Sequence, residues 1–380
     1  MGLAELVTIS RTYGGDPAWV LAGGGNTSYK DAEWLWIKAS GTTLATIDEG
    51  GFVPMSRAAL QAIWSHRYPD DTAERESAAL ADLMAARKDT DGPRPSVETL
   101  MHELLPQTYV VHTHPALVNG MTCGRNGKEI AMRLFDVDAI WIDQIEPGYI
   151  LAREIRDSLR RFREESRRDC SLIFLENHGV VVAGNTTGEI REQQDRVMAL
   201  CSKQVEETLG IGASSPPVVT PAPVSERAAR AQTALAELFS DHFVTHATST
   251  AMAPLLASLA AAEPILGVYT PDHLVYAGQM PCFIACSAEE DPAQRIREHF
   301  ETVPDTTPPK SILLQSVAAY GVGRARSSAH ASCSLILDSA AVALYSGAFG
   351  GHRFMEPRLV QFIANWEVEQ YRARTGQGES

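Results

Sequence analysis

Two periodicities alternate along this chain. Apolar residues recur at helical spacing over 57–66, 71–86, 98–105, 151–167 and 189–209. The runs rich in β-branched and aromatic residues at 33–39, 109–114 and 172–183 read as strands. The same mixture resumes after residue 225, where helices are predicted over 226–239, 249–262, 290–301, 326–346 and 356–373, and strands over 265–269, 273–277, 282–286 and 311–322. Between the two halves lies GIGASSPPVVTPAPVSE, whose four prolines remove backbone donors and favour extended chain. Thr186 to Glu189 reads as a capping box before it, and Ser225 as a helix cap after it. The pattern predicts a first α/β domain over 1–212, a proline-rich linker over 213–224 and a second α/β domain over 225–380.

The two halves also carry a similar stretch. FLENHGVVVAG (174–184) and LLQSVAAYGVG (313–323) are each an apolar strand, two polar residues and a second apolar run ending in glycine, followed by a helix. In that register His178 meets Val317. One expectation is a degenerate copy that keeps a fold and loses its chemistry; the other is the ordinary repetition of strand–turn–helix units in α/β proteins.

Composition narrows the function classes. At 380 residues the chain is long enough for two domains, and 44% hydrophobic with 21% charged residues is a globular balance. With 33 Lys and Arg against 47 Asp and Glu, the net charge of −14 argues against nucleic acid as a partner, while leaving room for a local anion pocket. No apolar run free of polar side chains reaches the ~18 residues of a membrane span, and the first residues lack the pattern of a signal peptide. Six scattered cysteines without a CxxC pair suit reduced thiols, so a cytoplasmic protein is expected.

Candidate chemistry gathers in the first half. In His112-Thr113-His114, alternation along a strand points both imidazoles the same way, a natural metal pair or two ordinary strand histidines. Glu98, in PSVE, stands at a predicted helix start, where it serves either chemistry or the helix dipole. His102, one turn on, offers a fourth nitrogen or a packing role. Glu176-Asn177-His178-Gly179 places a polar pair between two apolar runs, and a buried imidazole there needs a partner. Three histidines and a carboxylate would suit Zn²⁺ or another divalent ion. Gly23-Gly24-Gly25-Asn26-Thr27-Ser28 and Lys38-Ala39-Ser40-Gly41 are turns whose bare N–H groups, hydroxyls and lysine suit an anion.

Taken in order, GGGNTS (23–28), IKASG (37–41), PSVE (95–98), HTHP (112–115) and ENHG (176–179) resemble the class II aldolase/adducin family over roughly residues 5–208. Within it the chain looks similar to the aldolase part of bifunctional rhamnulose-1-phosphate aldolase/alcohol dehydrogenases. The resemblance implies an α/β/α sandwich on a mainly antiparallel sheet. It assigns His112, His114 and His178 to a divalent metal, usually zinc, and Glu98 to acid/base catalysis. It places Asn26, Ser28, Lys38, Ser40, Gly41 and Ser96 at the substrate phosphate. The chain departs from the family at Val97 and Gly23, where many members carry hydroxyl residues, and WIDQIE before Pro147 lacks a tyrosine found in relatives.

The activity implied is retro-aldol cleavage of a ketose 1-phosphate to dihydroxyacetone phosphate and an aldehyde. The substrate would be a small sugar phosphate, and the assembly a homo-oligomer, a tetramer by resemblance. Sugar-phosphate 4-epimerases, keto-acid decarboxylases and non-catalytic adducin-like proteins share the scaffold. The expectation for the second half is sparser. Asp272-His273 matches an element of the bifunctional relatives that could reach the active site, while His273 and His330 by themselves read as structural and Arg324 and Arg326 form a small basic spot.

Overall fold

A computed structural model describes residues 2–211, 225–302 and 307–366. The predicted linker over 213–224 and the end of the predicted helix 356–373 lie outside the described residues. The first half is built on a seven-stranded sheet: β1 (Asn26–Lys30), β2 (Trp34–Lys38), β3 (Phe52–Ser56), β4 (Tyr109–Thr113), β5 (Ile140–Ile142), β6 (Leu172–Leu175) and β7 (Gly179–Gly184). Their spatial order is β3-β2-β1-β4-β7-β6-β5, antiparallel throughout except for the β5–β6 pair.

The central strands are apolar at most positions because both sheet faces are covered. Tyr109 and Val111 of β4, with Val180 and Val182 of β7, pack with helix Leu3–Gly14 and helix Thr187–Leu209. The alternate residues Val110, Val181 and Ile173 face the other way, against Met101 of helix Thr99–Leu104 and Leu151 and Ile155 of helix Tyr149–Ser166. This is the predicted α/β/α sandwich on a mainly antiparallel sheet.

The second half holds a four-stranded sheet of β8 (Phe243–Ala247), β9 (Cys282–Ile284), β10 (Ser311–Leu314) and β11 (Ala318–Gly323), in the order β8-β11-β10-β9. Helices Glu226–Leu238 and Pro292–Glu301 cover one face. Helix Arg326–Ser346 covers the other and also joins the first core through Ala341 and Tyr345. Residues 326–349 are apolar enough to cross a membrane, but 78% of their apolar window is buried inside the protein. All six cysteines are free.

Several boundaries differ from the pattern. The runs 172–183 and 311–322 are hairpins rather than single strands, each turned by a left-handed residue, Asn177 (φ 53°) and Ser316 (φ 57°). Residues 265–269 and 273–277 are not strands. A 3₁₀ turn occupies Glu263–Ile265, and a π-helical turn occupies His273–Ala277. Every residue of that π turn is buried, so its apolar run carries no periodicity to distinguish helix from strand. The predicted helix 249–262 is two short ones, Met252–Leu255 and Leu259–Ala262, with Ser258 capping the second. β1, β3, β5 and β8 and helices Leu3–Gly14, Ala116–Thr122 and Gly127–Phe135 were not expected from the pattern.

Candidate active site

The site forms where β4 ends beside the β6–β7 turn. Pairing of β4 with β7 sets His112 opposite Val181, and Asn177's left-handed backbone swings His178 back over the end of the sheet. Glycine at 179 is required by this closeness, since a Cβ there would lie 2.6 Å from His114 Cδ2 and 2.5 Å from the Thr113 carbonyl. The result is three imidazoles with ligand atoms all within 4.8 Å of one another.

Their hydrogen bonds fix which nitrogen is available. His112 Nδ1 donates to the Val180 carbonyl at 2.9 Å, and His114 Nδ1 donates to the Asp272 carboxylate at 2.6 Å. Neither acceptor carries a proton to give back, so Nδ1 holds the proton in both rings and, in the neutral imidazole, Nε2 is the lone pair. Those two Nε2 atoms stand 2.9 Å apart, and His178 Nε2 is 3.3 Å from that of His112. Lone pairs converging at this distance repel unless a cation lies among them. The donor set therefore fits a divalent metal bound by three neutral histidines.

Two of the imidazoles resist protonation: burial lowers His112 and brings His178 down to about 3. Glu98 sits at the N-cap of helix Thr99–Leu104, its Oε1 3.5 Å from His112 Nε2 and 3.4 Å from His178 Nε2. Burial pushes its carboxyl up, but positive charge on His112 and His178, together with the Asn26 amide, outweighs this and brings it to about 2. With the imidazoles neutral, a bound cation supplies that positive charge instead.

A buried relay holds Glu98 in place. Ser28 Oγ donates to His102 Nδ1 (2.7 Å), His102 Nε2 donates to Asn26 Oδ1 (2.5 Å), and Asn26 Nδ2 donates to Glu98 Oε2 (2.5 Å). One oxygen of the carboxylate is thus committed, leaving Oε1 for chemistry. His102 is fully buried, which lowers it to about 3 and keeps it neutral, as the relay requires. Of the two roles open to His102, the structure shows the supporting one: it orients an amide and does not face the metal cluster. One expectation is corrected here. Ser28 is fully buried with its hydroxyl spent on His102, so it does not reach a substrate.

A small cleft opens beside Glu98 and His178, lined by Lys38, Ser40, Gly41 and Ser96, with Pro147 and Pro271 as walls. The end of β2 is tied to PSVE by Ser96 N–H to the Lys38 carbonyl at 3.1 Å, which gathers two distant motifs into one wall. Asn26 lines the cleft too, and Lys38 Nζ donates to the Gly23 carbonyl at 3.1 Å. A wider hollow elsewhere contains Lys128–Asp143 (2.7 Å) and Arg353–Glu176 (2.6 Å), pairs that neutralise each other. His273 bonds Thr270 and pairs with Asp338, inside the second half. Arg326 stacks on Phe243.

The model of the class II aldolase and adducin N-terminal domain family matches residues 4–205. Among curated proteins, the "uncharacterized oxidoreductase YuxG" of Bacillus subtilis (strain 168) is 23% identical over 418 residues, covering 98% of this chain. The chain spans only 58% of that relative's length. Among solved structures, the N-terminal class II aldolase domain of a conserved protein from Thermoplasma acidophilum is 28% identical, with a TM-score of 0.44, covering 52% of this chain and 91% of that one. L-fuculose-1-phosphate aldolase from Thermus thermophilus is 14% identical, with a TM-score of 0.34, covering 55% and 99%.

Proposed function

Because the chain belongs to the class II aldolase and adducin family, we propose that it is a zinc-dependent lyase. The reaction is retro-aldol cleavage of a ketose 1-phosphate, rhamnulose 1-phosphate-like, to dihydroxyacetone phosphate and an aldehyde. The observation that carries this reading is the meeting of three imidazole Nε2 atoms with a carboxylate oxygen 3.4–3.5 Å from two of them.

His112, His114 and His178 would hold the ion. When bound, it supplies positive charge that polarises the ketose carbonyl and stabilises the negative charge of cleavage. Glu98 Oε1 takes and returns the proton at the reacting carbon and hydroxyl, while Asn26 holds Oε2 still. Lys38, Ser40, Gly41, Ser96 and Asn26 would receive the phosphate in the cleft beside Glu98. The pairing of this lyase with rhamnulose-type substrates rests on the GGGNTS and IKASG motifs. Residues 225–366 are read as a degenerate, metal-free copy of the catalytic unit, a reading supported by their strand order.

The test is incubation of the zinc-loaded protein with ketose 1-phosphates, pentulose 5-phosphates and sugar keto acids, with products read by mass. Dihydroxyacetone phosphate is expected, abolished by chelator and reduced about 10²- to 10⁴-fold by Glu98→Gln. Carbon dioxide or an isomeric sugar phosphate would keep the metal site and replace the aldolase with a decarboxylase or epimerase.

A further inference from the structure

One of the three histidines is held by the other half of the chain. Asp272, which opens the π-helical turn His273–Ala277, accepts from His114 Nδ1 at 2.6 Å, and both side chains are buried. Two second-half carbonyls hold the turn that carries His178. Asn177 Nδ2, in the turn that carries His178, donates at 2.9 Å to the carbonyls of Tyr269 and Arg353.

The glycine-rich loop is shaped for this contact. A Cβ on Gly24 would lie 2.2 Å from Asp272 Oδ2, and one on Gly23 would lie 2.4 Å from the Tyr276 hydroxyl. Two glycines that look like an anion cradle in sequence therefore also leave room for the close approach of second-half side chains. The whole turn from Thr270 to Ala277 is buried, with Val275, Tyr276 and Ala277 in a second-half core against which Leu21 and Ala22, just before the glycines, are packed.

We propose that Asp272 is a positioning residue for the metal centre, supplied by the second domain. It fixes the tautomer and ring orientation of His114, and Gly24 is kept small to admit it. The carboxylate makes Nε2 a stronger donor through the ring, as outer-shell carboxylates do for metal-bound histidines. The second domain has thus kept a role in the chemistry without a metal site of its own. This inference rests on the three-histidine metal reading above.

The test uses the full chain and Co²⁺, whose visible absorption reports ligand geometry. Affinity is read by competition with a chelator. Asp272→Ala is expected to weaken Co²⁺ binding by about 10- to 100-fold and to change the absorption band. Asp272→Asn, which still accepts from Nδ1 but lacks charge, should fall between it and the parent. Gly24→Ala should weaken binding similarly by pushing the carboxylate away, and should add nothing further in the Asp272→Ala background. Tyr320→Phe, which removes a buried hydroxyl bonded to Ala228 deep in the second half, controls for general loosening and should leave affinity and spectrum unchanged. Asp272→Asn keeps the side chain's shape, so it carries the test if Asp272→Ala does not fold. The inference is overturned if the folded Asp272 variants bind Co²⁺ with the parent's spectrum and less than about twofold change in affinity. It is also overturned if Tyr320→Phe is as damaging as they are. A parent protein that binds no Co²⁺ would sink the metal reading itself, and this inference with it.

Discussion

Half of the large sheet and the whole of the small one are the same arrangement. β4-β7-β6-β5 and β8-β11-β10-β9 share order and direction: two antiparallel contacts, then one parallel. Each hairpin turns on a left-handed residue at the same place, Asn177 and Ser316, and each ends in a glycine followed by a long helix. The pairing registers set His112 opposite Val181 and His246 opposite Tyr320, which are equivalent positions in β7 and β11. One imidazole of three is therefore present in the second sheet, while Thr248 and Val317 stand where His114 and His178 would be. The fold tolerates that loss because its core depends on apolar alternation rather than on the histidines. The second sheet also lacks counterparts of β1–β3 among the described residues, the strands that bring the glycine-rich loop and Lys38 to the site.

The largest expected effect comes from making the first site resemble the second. His178→Val should leave the fold intact and weaken metal binding by more than the ~10²-fold upper range of an outer-shell change. Chelator-competed affinity checks it, and near-parental binding would deny His178 a ligand's place.

Next in size is a pH effect confined to β1. Lys30 is buried, which pulls its ammonium down to about 7, although Glu103 opposes the shift. In the unfolded chain it titrates near 10.5. Below about 7 both states carry the proton and the burial penalty is fully present. Between about 7 and 10.5 the unfolded chain binds more protons, so this group's contribution to stability rises with pH by at most about 1.36 kcal/mol per unit. Denaturant melts across that window should show the rise in the parent and a flatter profile in Lys30→Met; identical profiles would exclude Lys30 as its source.

The smallest effect, and the most searching, runs the comparison backwards. Thr248→His with Val317→His should give the second sheet three imidazoles and a second, weaker Co²⁺ equivalent by titration. A single equivalent from a folded variant would mean that the two sheets share order without sharing side-chain geometry at the site.

The sequence by itself determined the ligands and the layers. HTH on a strand, ENHG at a turn and PSVE at a helix start each carry residues whose chemistry is unusual for their place. The apolar runs in β4, β6 and β7 require a sheet covered on both faces. The shared strand arrangement was also partly legible: YVVHTH (109–114) and FVTHAT (243–248) match at one histidine, a signal that lies outside the hairpin alignment. What only the tertiary structure decided were long-range contacts with no local signature. Nothing near Ser28 or His102 indicates that they form a relay through Asn26 to Glu98, because the bonded residues are more than 70 positions apart. The approach of Asp272 to His114 spans 158 positions: the Asp272-His273 element indicated that this segment could reach the site, but not which imidazole it would meet. Glycine spacing in GGGNTS fits an anion cradle and a docking surface equally well, since a missing Cβ records that something comes close but not what it is.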